Sequence, residues 1–364
     1  VRSAIHAGGT TTLFGGTKLR PESMEVMQKA ATVMVNLDEL NTAAGRVLAE
    51  ATGAEAGFVT SGAAGGLILQ AAACMAGSDP SKMAQLPDTT GMKSEFVIQT
   101  AQRFAYDQCY RVAGATLVNV GDGKRTQPWQ VEAAINDQTA AVIYVVSPFM
   151  SGKALSLPEM VEIAHASGVP IIVDAASMLP PRNNLRKFIA EGADMVQYSG
   201  GKGIRGPQGT GVLCGRGDLI EGAAANASPH PFLGRGMKVA KEEIVGLLRA
   251  LEVFLDEDEE EENRRYRQMC NTVVDALIEV QGLDISVRHN NDYLVPAAVI
   301  RFGPDFRGPS RDDAIELLLQ GDRPIWIHQL GEPDEVAVDP TNLDDEELDT
   351  VITRLRQVLL GQGA

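Results

Sequence analysis

A strand pattern that runs into a glycine-framed lysine decides the fold, and it reads Met195-Val196-Gln197-Tyr198-Ser199-Gly200-Gly201-Lys202-Gly203. Upstream, the apolar run Ile171-Ile172-Val173 ends in an acid, Asp174. Short apolar runs that alternate with helical patterns are typical of a parallel sheet covered by helices. The carboxyl ends of parallel strands lie along one edge of the sheet. The sequence therefore predicts that Lys202 and Asp174 share that edge.

Seven strand patterns between about Glu55 and Gly215 predict the central sheet. They are Gly57–Thr60, Phe96–Gln99, Thr116–Val120, Ala141–Val146, Pro170–Val173, Met195–Tyr198 and Gly211–Gly215. Amphipathic patterns between them, such as Gln130–Ile135 and Pro158–Ala166, predict helices on both faces. The predicted fold class is α/β, with a mostly parallel seven-stranded sheet in a large domain.

The pattern changes after about Lys241, where one long helix is predicted over Glu242–Ala276. Its acidic run, 256–262, is interpreted as a solvated helix face. The remaining patterns predict a smaller α+β domain with strands at Leu283–Val287, Ala297–Phe302 and Ile325–Ile327 and helices at Arg311–Leu319 and Asp344–Leu359. We expect a large domain over 33–245, a C-terminal domain over 246–364, and a segment, 1–32, that packs on the small domain or on a partner subunit.

Composition and charge exclude several classes of protein. The 364 residues carry a net charge of −16, and such a surface repels nucleic-acid backbones. No apolar run is long enough to span a membrane and no signal peptide opens the chain, so a cytoplasmic enzyme is expected. The four cysteines show no CxxC spacing, which favours free thiols over disulfides or a metal site.

A small-residue turn, Thr60-Ser61-Gly62-Ala63-Ala64-Gly65-Gly66, follows the first strand pattern and opens an Ala-rich helix. Backbone N–H groups at a helix start attract anions, because they combine unpaired donors with the positive end of the helix dipole. The turn lacks the Gly-Lys-Ser/Thr of a P-loop and does not match GxGxxG. It therefore predicts a phosphate site that is neither a P-loop nor a dinucleotide fingerprint, although a purely structural turn is the alternative.

Taken together, the turn, the acid and the lysine fit pyridoxal phosphate. Lys202 offers an amine that can form an imine, and Asp174 offers an anion that can keep a pyridine nitrogen protonated. Taken singly, Asp174 could be a helix cap or a buried ion-pair partner, and Lys202 could be a surface loop residue. The order of turn, acid and lysine favours the cofactor.

The same residues resemble fold-type I pyridoxal-phosphate enzymes, and most closely the selenocysteine synthase-like group that includes D-glucosaminate-6-phosphate ammonia-lyase. The resemblance runs along nearly the whole chain. It is carried by Ala7–Thr12, Thr60–Ala64, Asp174–Ala176, Ser199–Lys202, Arg205–Gln208 and Gly234–Glu243. It implies an aspartate aminotransferase-like large domain, pyridoxal phosphate as cofactor, and a homodimer or larger homo-oligomer with the site at a subunit interface.

The resemblance also implies residue roles. Lys202 would bind the cofactor as an imine and move protons, and Asp174 would pair with the pyridinium nitrogen. The other cofactor residues would be Ser61, Gly62, Ala63 and Ser199 at the phosphate, Ser147 at the ring hydroxyl, Gln102 where relatives place a histidine over the ring, and Thr210 with Gly209 at the phosphate of the neighbouring subunit. No metal is expected.

Two departures concern substrate recognition. His328 stands where many fold-type I enzymes keep an arginine for the substrate carboxylate, and His6 stands where relatives often have an asparagine. Arg103, Arg205 and Arg235 are then the candidates for the carboxylate. Taken singly, each of them is interpreted as a structural or surface arginine before a ligand.

The reaction expected first is elimination. Deprotonation at Cα and loss of a β-substituent would make the protein a lyase of the ammonia-lyase type, acting on a small-molecule amino acid or amino-sugar acid. A racemase, epimerase or aldolase of the same cofactor class is the alternative. A nucleotide-dependent oxidoreductase is a remote one, because GxGxxG is missing. The tRNA-dependent activity of selenocysteine synthase is not expected for so acidic a chain without an obvious RNA-binding module.

Overall fold

The computed structural model describes residues 1–147, 154–329 and 331–361. This part of the chain divides into two compact units. The first is Val1–Lys18 together with the described residues from Asp256 onward, and the second is Leu19–Leu255. The divisions at 18/19 and 255/256 differ from the predicted 32/33 and 245/246. The N-terminal segment is thus shared: its first part belongs to the C-terminal unit, and its helix belongs to the large one.

The strands of the described residues confirm the predicted order. They are β1 (Ile5–Ala7), β2 (Ala56–Ser61), β3 (Glu95–Gln99), β4 (Thr116–Val120), β5 (Thr139–Val145), β6 (Ile171–Asp174), β7 (Met195–Ser199), β8 (Thr210–Gly215), β9 (Leu283–Arg288), β10 (Ala297–Phe302), β11 (Ile325–Ile327) and β12 (Glu335–Val338). The short strands β1 and β12, of three and four residues, are absent from the sequence prediction.

The helices of the described residues are α1 (Pro21–Ala30), α2 (Leu37–Thr52), α3 (Gly62–Ala76), α4 (Pro80–Gln85), α5 (Gln108–Val112), α6 (Pro128–Ala134), α7 (Leu157–Ala166), α8 (Asn184–Ala190), α9 (Gly217–Asn226), α10 (Lys241–Asp256), α11 (Glu259–Leu277), α12 (Arg311–Leu319) and α13 (Asp345–Leu359). Single 3₁₀ turns lie at Thr12–Phe14, Thr100–Gln102, Ala105–Asp107 and Pro340–Asn342.

The large unit contains a seven-stranded sheet with the order β2-β8-β7-β6-β5-β3-β4. Strands β7, β6, β5, β3 and β4 are parallel, and β8 is antiparallel to both β7 and β2. Alternate side chains of the sheet enter two apolar cores. One core contains residues of α2, α7, α8 and α10, and the other contains residues of α3, α5 and α9. Helices thus cover both faces, as predicted.

The C-terminal unit is α+β, as predicted. Its three-stranded antiparallel sheet has the order β12-β10-β9, and β1 pairs in parallel with β11. Buried side chains of α11, α12 and α13 share one apolar core with these strands.

The predicted single helix over Glu242–Ala276 is wrong. The structure breaks it into α10 and α11 at Glu257 and Asp258. Asp258 has an extended backbone, and its carboxylate accepts the Glu260 and Glu261 N–H groups. Aspartate is a preferred N-cap, and acidic side chains are stabilised in a first helical turn. The acidic run therefore starts a new helix rather than lining one face of a continuous one.

The topology gathers the ends of several strands at one edge of the large sheet. Strands β2, β5, β6 and β7 end there with Ser61, Val145, Asp174 and Ser199, and β8 begins there with Thr210. In register, Asp174 pairs with Val145 on one side and with Gln197 on the other. We call this the carboxyl edge. Asp174 lies at this edge, and Lys202 lies in the loop that follows β7 there.

Candidate active site

Asp174 ends β6 at the carboxyl edge, where it is only 5% exposed. Its Oδ1 accepts a hydrogen bond from the Ala176 N–H at 3.0 Å. Burial raises the pKa of this carboxyl to about 6, and the Ala176 N–H and the Lys202 charge lower it by less. The charged form of a buried acid needs compensating partners. The described residues supply Asp174 with less compensation than its burial demands.

Lys202 lies in the loop that follows β7, largely shielded from water. Burial lowers the pKa of its ammonium, and the Asp174 charge raises it by less. A lowered pKa enlarges the neutral fraction near pH 7, and the neutral amine is the form that acts as nucleophile or base. Each of the two groups acts on the pKa of the other. The structure therefore brings the two predicted catalytic residues together.

The predicted phosphate turn lies where β2 passes into α3. Gly62 has a φ of +64°, and a Cβ added to it would meet no described atom within 4 Å. Its N–H is taken by the Gly209 carbonyl at 2.9 Å, so Gly62 is unavailable as an amide donor. The next amides, Ala63 and Ala64, have no acceptor within the helix. Open space and unpaired donors at the start of a 15-residue helix suit an anion.

Gln197, which the sequence analysis misses, connects this turn to the strand that leads to Lys202. Its Nε2 donates to the Thr60 hydroxyl at 3.1 Å and to the Tyr198 carbonyl at 2.7 Å. The Thr60 hydroxyl in turn donates to the Gly62 carbonyl at 2.9 Å. Gln197 is completely buried, and a Cβ on Gly66 of α3 would come within 1.7 Å of its Oε1. The sequence signal that could have identified Gln197 is its polar amide side chain inside the otherwise apolar strand pattern Met195–Tyr198.

The lysine loop is closed by backbone hydrogen bonds. The Gly200 N–H donates to Thr210, the Gly206 N–H donates to Gly200, and the Arg205 N–H donates to Lys202, at 2.9, 2.9 and 2.8 Å. The Thr210 hydroxyl donates to the Pro207 carbonyl at 2.7 Å, and the side chain is fully buried. Thr210 thus stabilises this turn, and its role at a neighbouring subunit's phosphate stays a prediction.

The residues predicted at the ring and at the phosphate lie at the ends of strands or just after them, along the carboxyl edge. Gln102 is 2% exposed, and its Oε1 accepts the Val145 N–H at 3.2 Å. Ser147 follows β5 after Val146, whose N–H donates to the Asp174 carbonyl at 2.8 Å. Ser199 ends β7, and Ser61 ends β2. The edge therefore collects these residues, while their individual roles toward the cofactor stay predictions.

The three candidate arginines have different surroundings. Arg103 forms an ion pair with the buried Asp107 carboxylate at 2.5 Å, and it also donates to Asn119. Arg235 is exposed. Arg205 lies in the lysine loop, and its Nε is buried without a hydrogen-bond partner among the described residues. The three arginines, which the sequence alone could not rank as carboxylate ligands, thus differ in their exposure and in their partners.

His328 belongs to the C-terminal unit. Its Nδ1 and that of His6 are buried without partners among the described residues. Burial lowers the pKa of both imidazoles, and Asp339 raises both by less. His328 is therefore part of a histidine–aspartate cluster within that unit, and its role toward substrate stays a prediction.

The residues at the carboxyl edge fit pyridoxal phosphate. The group carries a carbonyl, a basic ring nitrogen and a phosphate, and the edge offers an amine, a carboxyl and helix-start amides. The decisive observation is the burial of Asp174, which is 5% exposed and accepts a hydrogen bond from the Ala176 N–H at 3.0 Å, because a buried carboxyl gains most from a cation such as a protonated pyridine.

Other site classes find less support. Within residues 1–147, 154–329 and 331–361, no group of three or more metal-ligating side chains is arranged to hold a metal ion. The four cysteines are free thiols. Among the helices described, none is long and apolar enough to cross a membrane.

Comparison with known proteins agrees with this picture. A model of the family described as L-seryl-tRNA selenium transferase (SelA) matches residues 19–290. The 5'-C-glycyluridine monooxygenase-decarboxylase of Streptomyces sp is 32% identical, over 99% of this chain and 90% of that protein. The D-glucosaminate-6-phosphate ammonia lyase of Salmonella typhimurium is 30% identical, over 98% and 96%. A solved structure of D-glucosaminate-6-phosphate ammonia-lyase superimposes with a TM-score of 0.87 at 29% identity, covering 99% of this chain and 96% of that one.

Proposed function

Because the chain belongs to the L-seryl-tRNA selenium transferase family and is a pyridoxal-phosphate-dependent enzyme, we propose that it is a lyase that removes ammonia from an amino acid or amino-sugar acid. The observation that carries the proposal is that Asp174 ends β6 and Lys202 follows the adjacent strand β7, close enough for each charge to shift the pKa of the other. The similarity to an ammonia lyase along nearly the whole chain supports the reaction type.

When bound, pyridoxal phosphate supplies an electron sink for carbanion chemistry at the Cα of an amino substrate. Lys202 would provide the amine that holds the cofactor covalently and that the substrate amine displaces. Its burial lowers its pKa, so the displaced side chain returns to the neutral form readily. Neutral Lys202 Nζ can then remove the Cα proton.

Asp174 would hold a proton on the ring nitrogen of the bound cofactor. Its carboxylate accepts the Ala176 N–H at 3.0 Å, which fixes one oxygen. With a cationic partner beside it, the carboxyl would ionise more easily than its raised pKa in the cofactor-free chain indicates. In this proposal Asp174 keeps the cofactor ring electron-withdrawing, and Lys202 removes the Cα proton of the substrate.

Elimination follows when the β-carbon carries a leaving group. The electron pair of the Cα–H bond forms the Cα–Cβ double bond as the β-substituent leaves with its electrons. Protonation of Cβ converts the released enamine to an imine, and addition of water at its Cα then releases ammonia and leaves a keto acid. In this proposal the Ala63 and Ala64 amides, with Ser61 and Ser199, hold the cofactor phosphate.

Oxidative decarboxylation is the second candidate, because the Streptomyces relative named as a monooxygenase-decarboxylase is as similar as the lyase. Racemisation and aldol cleavage begin at the same carbon. Elimination is distinguished by ammonia without oxygen consumption, oxidative decarboxylation by oxygen uptake with carbon dioxide, and racemisation by deuterium at Cα without either.

The first test is the visible spectrum of the purified protein with added pyridoxal phosphate. We expect a band near ~420 nm from the lysine-bound cofactor, which disappears on borohydride reduction and is absent from Lys202→Ala. Lys187→Ala is the matched control, since Lys187 is a surface lysine paired with Glu191 at 3.9 Å. A wild-type protein that never acquires the band refutes the cofactor assignment for this chain.

The second test identifies the reaction. D- and L-amino acids and 2-amino-2-deoxy sugar acids, with and without a phosphate ester, are incubated in deuterated water under controlled oxygen. Keto acid and ammonia in equal amounts support the lyase. Oxygen-dependent carbon dioxide release would replace it with the second candidate.

The proposal includes a homodimer, as the resemblance implies. Three successive apolar residues between α1 and α2 support it, since Val33, Met34 and Val35 are 51%, 92% and 46% exposed. Exposed apolar clusters commonly mark interfaces. Light scattering should give twice the chain mass of 38.8 kDa, and Met34→Glu should shift the mass toward the monomer. A wild-type monomer at micromolar concentration would contradict this part of the proposal.

A further inference from the structure

Arg205 has a backbone conformation that arginine rarely adopts. Its φ is +60°. Every other residue with a positive φ in the described part of the chain is a glycine. Side chains larger than that of glycine are strained in this left-handed region. Such strain persists where the surrounding structure enforces it, and it concentrates at ligand-binding positions.

The surroundings of Arg205 enforce this conformation. Its N–H donates to the Lys202 carbonyl at 2.8 Å, and the following Gly206 N–H donates to the Gly200 carbonyl at 2.9 Å. A Cβ on Gly206 would lie 3.1 Å from the Leu247 side chain of α10. The loop therefore has little room to relax, and it fixes Arg205 to the backbone of Lys202.

The Arg205 side chain adds a second, independent observation. Its Nε is buried, yet it has no hydrogen-bond partner among the described residues. A buried donor without an acceptor is costly. Arg103 differs in this respect, because its Nε donates to the Asp107 carboxylate. Arg205 is thus half-buried, and the described chain shields its Nε from water without offering that atom an acceptor.

From these two observations we propose that Arg205 binds an oxyanion of the amino substrate, either its carboxylate or a phosphate ester. A guanidinium matches both groups, because its Nε–H and an Nη–H can donate in parallel to two oxygens. The backbone bond to Lys202 would hold this oxyanion beside the reacting amine. The inference rests on the proposed cofactor-dependent function and narrows the substrate to anionic amino compounds.

The test measures binding rather than turnover. Pyridoxal-phosphate-loaded wild-type enzyme, Arg205→Gln and Arg205→Lys are titrated with D-serine, D-glucosamine 6-phosphate and ethanolamine, and the change of the visible band is followed. D-serine carries a carboxylate, D-glucosamine 6-phosphate carries a phosphate, and ethanolamine carries neither. Arg249→Gln is the matched control, since Arg249 forms a surface ion pair with Glu252.

We expect Arg205→Gln to bind one of the two anionic compounds roughly 10- to 100-fold more weakly, as for loss of a charge-assisted hydrogen-bond pair, and ethanolamine unchanged. Arg205→Lys should restore little, because an ammonium cannot replace the fork. Weaker D-serine binding identifies the carboxylate, and weaker D-glucosamine 6-phosphate binding identifies the phosphate. Equal effects on all three compounds, or no effect on any, overturn the inference.

A structural arginine is distinguished by stability. Arg205→Gly removes the backbone strain and the buried donor, so its urea midpoint should rise above that of the wild type while the preference for the anionic compound is lost. A midpoint that falls indicates a structural residue and overturns the inference. Weaker binding of pyridoxal phosphate itself in Arg205→Gln would assign the guanidinium to the cofactor and would also overturn it. A wild-type protein without the visible band refutes the proposed function instead.

Discussion

Two buried aspartates lie at opposite ends of the β6–β7 strand pair, and their surroundings differ. At the amino edge, Asp194 accepts the Ile171 N–H at 2.8 Å, lies 2.8 Å from His165 Nε2, and pairs with the Arg216 guanidinium at 2.9 Å. At the carboxyl edge, Asp174 accepts the Ala176 N–H at 3.0 Å, and burial raises its pKa to about 6. Their exposed fractions, 8% and 5%, are similar.

The difference separates a structural acid from a functional one. The chain surrounds Asp194 with the Arg216 guanidinium, the His165 imidazole and the Ile171 N–H, which come from three segments, so this carboxylate contributes to the fold. Asp174 receives a backbone amide and the charge of a lysine whose own pKa is lowered. Active sites are positions where such uncompensated burial is retained. Removing each acid should therefore affect a different property of the protein.

The largest expected effect is on turnover in Asp174→Ala. We expect at least ~100-fold loss, the scale on which positioned acid–base and electrostatic groups contribute. The visible band should remain, because Lys202 is intact. Steady-state kinetics together with the spectrum measure both. Asp194→Asn is the control and should retain turnover, so a loss of equal size in both variants would erase the distinction.

The second effect is on stability in Asp194→Ala. Removal of the carboxylate leaves the Ile171 N–H unpaired and ends the contacts with His165 and Arg216. Since the latter two side chains are 45% and 42% exposed, we expect a loss of roughly 2–4 kcal/mol rather than the full cost of breaking a buried pair. Urea unfolding at pH 7 measures it. Unfolding at the wild-type midpoint would contradict a structural role.

The sequence predicted the carboxyl edge well, because strand periodicity and parallel topology determine where strand ends meet. Asp174 follows the apolar run Ile171–Val173 directly, and Lys202 follows the strand pattern Met195–Tyr198 after three small residues. Strands this short leave little choice of register. The same reasoning found the turn at Ser61. It could not find that the Gly62 amide is taken by Gly209, since that bond joins residues far apart in the chain.

Other features depend on local competition that periodicity does not reveal. The acidic run after Asp256 was predicted to continue a helix, but the capping bonds of Asp258 begin a new one. The candidate arginines looked alike because their differences lie in partners, such as Asp107 for Arg103. The roles of Ser147, Gln102 and His328 were taken from a resemblance, and the positions of these residues agree with those roles without testing them.

The third prediction concerns the cofactor-free protein and sharpens the contrast at Asp174. An acid whose pKa is raised by folding destabilises the folded state as pH rises from its usual value of 3.8 to about 6, and the cost persists above that range. Asp174→Asn keeps an oxygen for the Ala176 N–H and removes the charge. We expect it to stabilise the cofactor-free chain by about 1–2 kcal/mol at pH 8. The upper limit is about 3 kcal/mol, because a pKa raised from 3.8 to about 6 corresponds to about 1.36 kcal/mol for each pKa unit.

Urea unfolding of the cofactor-free proteins at pH 8 and pH 4 checks this. The gain should be present at pH 8 and absent at pH 4, where the wild-type carboxyl is protonated in the folded state. Asp194→Asn should show no gain at pH 8, because its partners favour the charge. A gain at Asp174 that is the same at both pH values would mean that desolvation of the charge is not its cause.

The smallest effect should come from the residue that lies in register with Asp174. Gln197 donates to Thr60, and Thr60 donates to Gly62, so this pair holds the anion-binding turn against β7 without carrying a charge. Gln197→Met and Thr60→Val should each weaken pyridoxal phosphate binding about 3- to 10-fold, which corresponds to one neutral hydrogen bond. Binding to the cofactor-free protein, followed through the visible band, measures it.

The matched control is Thr52→Val, because Thr52 is also fully buried and its hydroxyl donates to Leu48 within α2 at 2.7 Å. It should lower stability as Thr60→Val does but leave the affinity for the cofactor unchanged. The double variant of Gln197 and Thr60 should cost less than the sum of the two, since they share a bond. If Thr52→Val and Thr60→Val weaken cofactor binding equally, then the hydrogen bonds of Thr60 and Gln197 do not specifically position the anion-binding turn. The residues of the carboxyl edge that act on the cofactor would then be Asp174 and Lys202.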